Sequence, residues 1–249
     1  LPSPWHEVIA VITGLIIVGP DMSNIDDTKG NCGIRVFGKK NNTVVKDFTV
    51  DNCEIYGWPM AGIEFGYEGL IYDPTYLTNS YNQNSITTTE TAYIHHNYIH
   101  HNCQDGAGYG VCVDGDSYVK ISYNIFDYFR HAVTSQGTKF TSFEIDNNLI
   151  LANGSDNSAS IDSHNYMDIF KDICGFYKGN PYPDLLPDVC ATQQYKTNAN
   201  YASQNIKITN NTFVYKGERK TNSSNPNPAI NICGVPKGYC EIKNNYFAG

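Results

Sequence analysis

One short phrase recurs along this chain and constrains its fold more than any other feature: an Asn, any residue, then Ile or Phe. It reads Asn97-Tyr98-Ile99, Asn124-Ile125-Phe126, Asn148-Leu149-Ile150, Asn211-Thr212-Phe213 and Asn245-Tyr246-Phe247, and Cys53-Glu54-Ile55 fits with Cys in the Asn place. A second phrase, a small residue followed by alternating apolar positions, runs through the same units. It reads Gly33-Ile34-Arg35-Val36, Gly62-Ile63-Glu64-Phe65, Gly110-Val111-Cys112-Val113, Ala132-Val133-Thr134-Ser135 and Ala229-Ile230-Asn231-Ile232, with Ala159-Ser160-Ile161-Asp162 as a degenerate copy. These are short strands of period two, and helical periodicity is absent through most of the chain.

A sandwich has no need of the same phrase at the same place in every unit, whereas a coil stacked on itself does. Like residues then fall in columns about 4.8 Å apart, and an Asn column satisfies its buried amides along the stack. The expected fold is all-β: a right-handed parallel β-helix, a solenoid of about six coils forming one domain over 1–249. Two excursions interrupt it, at 66–91 and 165–204; residues 167–174 have the pattern of a helical turn. The repeat is in phase almost from the first residue to the last, with no capping helix. That points to a longer natural protein or to ends covered by neighbouring copies.

Composition narrows the class of partner. The formal net charge is -8, from 17 Lys+Arg against 25 Asp+Glu, and no basic stripe is present, which excludes duplex nucleic acid as a natural ligand. The apolar run Val8 to Val18 is shorter than the ~20 residues a spanning helix needs and has no basic region before it, so neither membrane insertion nor a signal peptide is expected. The eight cysteines, Cys32, Cys53, Cys103, Cys112, Cys174, Cys190, Cys233 and Cys240, show no CxxC or zinc spacing, so disulfides are expected, with Cys174–Cys190 and Cys233–Cys240 as candidate staples. Sequons begin at Asn41, Asn153, Asn210 and Asn222. Together these features predict an extracellular or cell-surface glycoprotein.

The densest polar constellation lies in the middle coils: His95-His96, His100-His101, Asp105, Gly108-Tyr109-Gly110, Arg130-His131 and Asp162-Ser163-His164. Aligned on the small residue, Tyr109 and His131 should be stacked neighbours, Asp114 and Gln136 should share a column near Ser163, and Asp162 should replace a core residue in the column of Val36, Phe65, Val113, Ser135 and Ile232. A carboxylate there needs a cationic partner, for which Arg130 or His131 is suited. The same residues have structural readings. The histidines fit turn corners, the glycines fit turns of positive φ, and Asp162 fits an ion pair. Asp114-Gly115-Asp116 resembles a fragment of a calcium loop without the remaining ligands, so no metal or other cofactor is expected beyond that weak Ca²⁺ signal.

From Tyr93 to about residue 165 the pattern His-His-Asn-Tyr-Ile-His-His, Gly-Tyr-Gly-Val, Arg-His and Asp-x-His resembles bacterial and archaeal β-helix proteins of the pectin-lyase-like superfamily. That group includes polysaccharide lyases, disaggregatase-like surface enzymes and carbohydrate-binding β-helices. The resemblance implies a right-handed coil and a polysaccharide or other glycan as partner. β-Elimination of a uronic polysaccharide needs a carboxylate neutraliser, a base and an acid; Arg130, His131 or His164, and Tyr109 are the candidates, with Asp162 beside them. His96, His101, Asp105, Asp114 and Gln136 are candidate substrate contacts. Hydrolysis would need two carboxylates ~5 to 9 Å apart, for which Asp162 with Asp114 or Asp105 is the one pair to consider. Two other classes of function stay open. One is a structural filament, sheath or surface-layer subunit that self-associates through its solenoid ends; the other is a non-catalytic glycan-binding or adhesion module.

Overall fold

The computed structural model describes residues 6–20, 31–38, 43–67, 90–102, 107–113, 117–137, 141–151, 153, 161–165, 202–214, 229–232, 235–236 and 238–248. They form a parallel β-helix of three long sheets and a two-stranded pair, His6–Val8 with Thr43–Val45. Sheet 1 stacks Val11–Thr13, Phe48–Asp51, Glu90–His95, Ser117–Ser122, Ser142–Asp146, Asn205–Thr209 and Tyr239–Lys243. Sheet 2 stacks Ile16–Val18, Glu54–Tyr56, Tyr98–Asn102, Ile125–Phe129, Leu149–Ile150, Thr212–Val214 and Tyr246–Ala248. Sheet 3 stacks Cys32–Gly38, Ala61–Tyr67, Tyr109–Val113, His131–Gly137, Ile161–Asn165 and Ile230–Ile232. Two of the three sheets hold seven strands, so the solenoid has seven coils rather than six. The first coil does not display the Asn phrase because Leu15 stands in the Asn place.

The core consists of aligned columns. Ile12, Val50, Ile94, Ile121, Ile145, Ile208 and Ile242 form one. Ile17, Ile55, Ile99, Phe126, Ile150, Phe213 and Phe247 form another. Members in the middle coils, such as Ile94, Ile121 and Phe126, are fully buried, and each contributes about 1.5–3 kcal/mol of hydrophobic stabilisation.

Beside the second column runs the Asn ladder. The side-chain amide of Asn97 donates to Asn124 Oδ1 at 2.9 Å, Asn124 to Asn148, Asn148 to Asn211 and Asn211 to Asn245, the last three each at 3.0 Å. Each Oδ1 also accepts the backbone N–H of the residue one coil earlier, and each amide reaches back to a carbonyl of the earlier coil. Cys53 takes the same place: its N–H donates to Asn97 Oδ1 at 3.0 Å, and its thiol lies against the carbonyls of Asp51 and Ile12.

That chemistry corrects the disulfide expectation. Cys32, Cys53, Cys112 and Cys240 are thiols, not halves of disulfides. Cys32 Sγ donates to Glu64 Oε2 at 2.9 Å, and burial together with the Glu64 charge pushes that thiol up, away from the thiolate. A Cys233–Cys240 staple is therefore ruled out by Cys240. Cys103, Cys174, Cys190 and Cys233, and with them the Cys174–Cys190 staple, lie outside the described residues, as do most of the two excursions with the helical turn at 167–174.

A second correction concerns register. Thr134 pairs with Asp162 and Ser135 with Ser163, so the degenerate repeat is Ser160-Ile161-Asp162-Ser163. Ser163 occupies the column of Val36, Phe65, Val113, Ser135 and Ile232. Asp162 falls instead in the column of Arg35, Glu64, Cys112, Thr134 and Asn231. A slip of one residue moves every side chain of a strand to the opposite face, so the case for a carboxylate in the core column disappears.

Candidate functional site

Each coil turns sharply between sheet 1 and sheet 2, and the turn needs one residue with positive φ just before the ladder position. Gly14, Asn52, Asn147, Asn210 and Asn244 fill it in five coils, with φ between 50° and 68°. Gly and Asn are the residues that tolerate this conformation best. The third and fourth coils place His96 (φ 55°) and Tyr123 (φ 57°) there instead. The next corner, at the end of sheet 2, repeats the exchange: Gly57 (φ 77°) is followed by His101 (φ 51°) and Tyr128 (φ 47°). At both corners the same two coils set an imidazole and a phenol where the turn alone would favour Gly or Asn.

The rings pair between coils. His96 stacks on Tyr123 with centroids 5.1 Å apart, and His101 on Tyr128 at 4.1 Å. All four residues are exposed. Strand residues between the corners add Tyr98 and Ile125, the latter also exposed. Next along the same face stand His100 and Asp127, both buried. His100 Nε2 meets Glu54 Oε1 at 3.1 Å, and its Nδ1 meets His101 Nδ1 at 2.6 Å. Asp127 Oδ2 accepts from Asn153 Nδ2 at 3.1 Å.

The Arg130 group lies two residues past Tyr128, where sheet 2 passes into sheet 3. Tyr109 pairs with His131 in register and the rings stack at 5.5 Å. Arg130 Nη1 donates to Tyr109 Oη at 3.2 Å, and its guanidinium carbon lies 6.0 Å from that ring's centroid. Arg130 and Tyr109 are half-buried, while His131 is only 3% exposed, which closes it to direct proton exchange with a substrate. Gly108 supplies positive φ (96°), but Gly110 is required for a different reason. A Cβ on Gly110 would lie 2.4 Å from the carbonyl oxygen of Ala132 and 2.7 Å from the Phe126 ring, so the small-residue column reflects close approach of coils.

The remaining sequence candidates are placed by backbone alone or not at all. Gln136 pairs with His164. Asp162 pairs with Thr134, three positions along from His131, or about 10 Å of strand. In register, Asp162 stands in the column of Glu64, Cys112 and Thr134, all three of them buried. Asp105 and Asp114 lie outside the described residues, and so do Asn41 and Asn222. Asn153 donates to Asp127, and Asn210 to Asp146. Among the described residues no group of three or more His, Cys, Asp or Glu is arranged to hold a metal, and no helix is long and apolar enough to cross a membrane. Glu54, Tyr98, Asp127 and Tyr128 were not singled out by the sequence. Their one signal was their place: Glu54 and Tyr98 stand in the middle of the Asn phrase, and Asp127 and Tyr128 follow directly after it.

Two groups in this region tie stability to pH. Burial holds His100 below the ordinary imidazole value, against the opposing pull of the Glu54 hydrogen bond. Burial would raise the Asp146 carboxyl, but hydrogen bonds from Thr209 (2.6 Å), Asn210 (2.8 Å) and Asn147 (2.5 Å) outweigh it and hold the group below its ordinary value. The signs agree. As pH falls below 6.5, the ordinary imidazole value, the unfolded chain takes up a proton at His100 before the folded one does. The Asp146 contribution, complete above the ordinary carboxylate range, is lost as pH falls through its folded value. The melting temperature should therefore decline from about pH 7 to about pH 2. Asp146→Asn should flatten the decline below about pH 4 and leave the upper part unchanged; thermal melts across this range read both.

No protein-family model, curated protein or solved structure matches the chain.

Proposed function

We propose that this chain is an extracellular, carbohydrate-active β-helix whose substrate is an acidic polysaccharide lying across sheet 2 at the third and fourth coils. The observation that carries the reading is the double exchange of Gly or Asn for His and Tyr at the two corners. Departures from local conformational preference concentrate where function demands a side chain. Four exposed rings bounding one strip of sheet are suited to stacking on the apolar faces of sugar rings while their polar edges hydrogen-bond. Arg130, at the same edge of the strip, is a cation suited to a uronate carboxylate, and Tyr109 is the phenol beside it. This supports elimination over hydrolysis, in keeping with the resemblance of 93–165 to pectin-lyase-like proteins. Asp162 and His164 have no part in the reading. Incubation with a panel of acidic polysaccharides should release unsaturated uronates, seen as rising ultraviolet absorbance. A panel that yields only saturated reducing ends would replace elimination with hydrolysis, and no cleavage with retained binding would leave a glycan-binding module.

Self-association is the second reading, favoured by the outward residues of the first coil. Val11, Ile16 and Val18 are 61%, 68% and 53% exposed, whereas their partners in the second coil are Thr49, Glu54 and Tyr56. Sedimentation of wild type against Ile16→Glu distinguishes a concentration-dependent assembly from a monomer.

A further inference from the structure

We infer that Glu54, His100 and His101 form a proton relay in which His101 Nε2 is the base that takes a proton from the bound acidic saccharide. The substrate clause rests on the carbohydrate reading above; the relay itself rests on geometry. Ionised Glu54 can only accept, so His100 Nε2 carries the proton in the 3.1 Å contact. A neutral imidazole has one N–H, which makes His100 Nδ1 a lone pair, and burial favours that neutral form. In the 2.6 Å contact between Nδ1 atoms the donor must then be His101. When His101 is the neutral donor, its remaining nitrogen, Nε2, is a lone pair on an exposed residue.

The ring planes are fixed. His100 stacks on Tyr98 at 4.0 Å and on Tyr56 at 4.8 Å, and His101 on Tyr128 at 4.1 Å. The ionisable groups facing His100 are Glu54 and Tyr56 from the second coil, Tyr98 and His101 from its own, and Asp127, its register partner, from the fourth. A proton passed from His101 to His100 through the Nδ1 contact is therefore met at His100 by carboxylates of the second and fourth coils. The chain contains its own comparison. His95 and His96 form a second doublet with Nδ1 atoms 2.9 Å apart, capped by Tyr123. Asp51 is the register partner of His95, but its Oδ2 accepts from Asn52 and its buried Oδ1 has no hydrogen-bond partner. That doublet lacks the carboxylate anchor.

In the elimination, the C5–H bond breaks and the proton goes to His101 Nε2. Its electron pair forms the C4=C5 double bond, and the C4–O bond breaks with its pair on the leaving oxygen, which takes a proton from solvent. Nothing is oxidised or reduced.

Two experiments separate the relay from the substrate. Diethyl pyrocarbonate acylates unprotonated imidazole nitrogens, and its sites can be mapped by mass spectrometry at pH 7. His101 should react several-fold faster than His96, and Glu54→Gln should remove most of that difference. Equal rates in wild type, or a difference that survives Glu54→Gln, would overturn the relay. On a uronate polysaccharide that wild type cleaves, His101→Asn, which suits the turn, should lower kcat about 100-fold, while KM rises only by the several-fold that losing one stacking ring brings. Glu54→Gln should move the acid limb of the kcat/KM profile to lower pH, an effect that a merely structural role would not produce. Retained kcat in His101→Asn overturns the base assignment. A wild type inactive on every acidic polysaccharide, with the acylation difference intact, removes the substrate clause and leaves the relay.

Discussion

Asn124→Ala should destabilise the fold by about 4 kcal/mol, the largest loss expected of any single truncation in the described core. Asn124 is 1% exposed and stands in the middle of the ladder. Its Oδ1 accepts from both the backbone N–H and the amide of Asn97, and its own amide reaches Ile94, Ser122 and Asn148. Removing it strands donors and acceptors on three successive coils, each costing about 1–3 kcal/mol when buried without a partner. Water cannot replace them there. At Asn245, which is partly exposed, it can, and Asn245→Ala should cost only about 1 kcal/mol. Urea denaturation of both variants measures the ratio, and equal losses would show that the ladder is incidental to stability.

The second large effect is expected at Gly110. The nearest atoms to an added Cβ are a backbone oxygen at 2.4 Å and the wall of the fully buried Phe126 ring, neither of which is a flexible end that can swing away. Gly110→Ala should therefore cost about 3 kcal/mol through coil displacement. Gly62→Ala, whose closest approaches are 2.9 Å to the Asn102 amide and 3.0 Å to the Gly110 oxygen, should cost less. Gly110 also adjoins Tyr109, so the displacement should loosen the Tyr109–His131 stack, seen as a change in near-ultraviolet dichroism. A Gly110→Ala protein that melts like wild type would contradict the close-approach account.

The fold was legible because a stacked coil writes itself into sequence as columns, and Asn97, Asn124 and Asn148 stand in one. What failed was phase where the phrase decayed. Between residues 159 and 163 two frames both read as a small residue before alternating positions. Only the pairing of Ile161 with Val133 across coils decides between them, and the sequence does not contain it. The cysteines misled for a related reason. Their even number suggested pairing, yet Cys53 serves as a ladder residue and Cys32 as a donor to Glu64, roles set by neighbours one coil away. At the site, the two His doublets announced themselves. Glu54 did not, because it precedes His100 by 46 residues and becomes its partner only through the stacking of coils. His131 was a candidate base beside Arg130, but it shares the inward parity of Val133 and Ser135 on its strand and is buried.

The claim that a glycan lies across the third and fourth coils is tested most directly by restoring the turn residues used elsewhere in the solenoid. Tyr123→Asn with Tyr128→Gly gives both corners the residue type the other coils employ. Affinity for a panel of acidic oligosaccharides, measured calorimetrically beside the melting temperature, should show the double variant as stable as wild type or more so. Its binding should be weaker by about 10-fold or more, the loss of two stacking platforms worth roughly 0.5–1.5 kcal/mol each. A variant that binds as tightly as wild type, or a wild type that binds no member of the panel, would contradict the account.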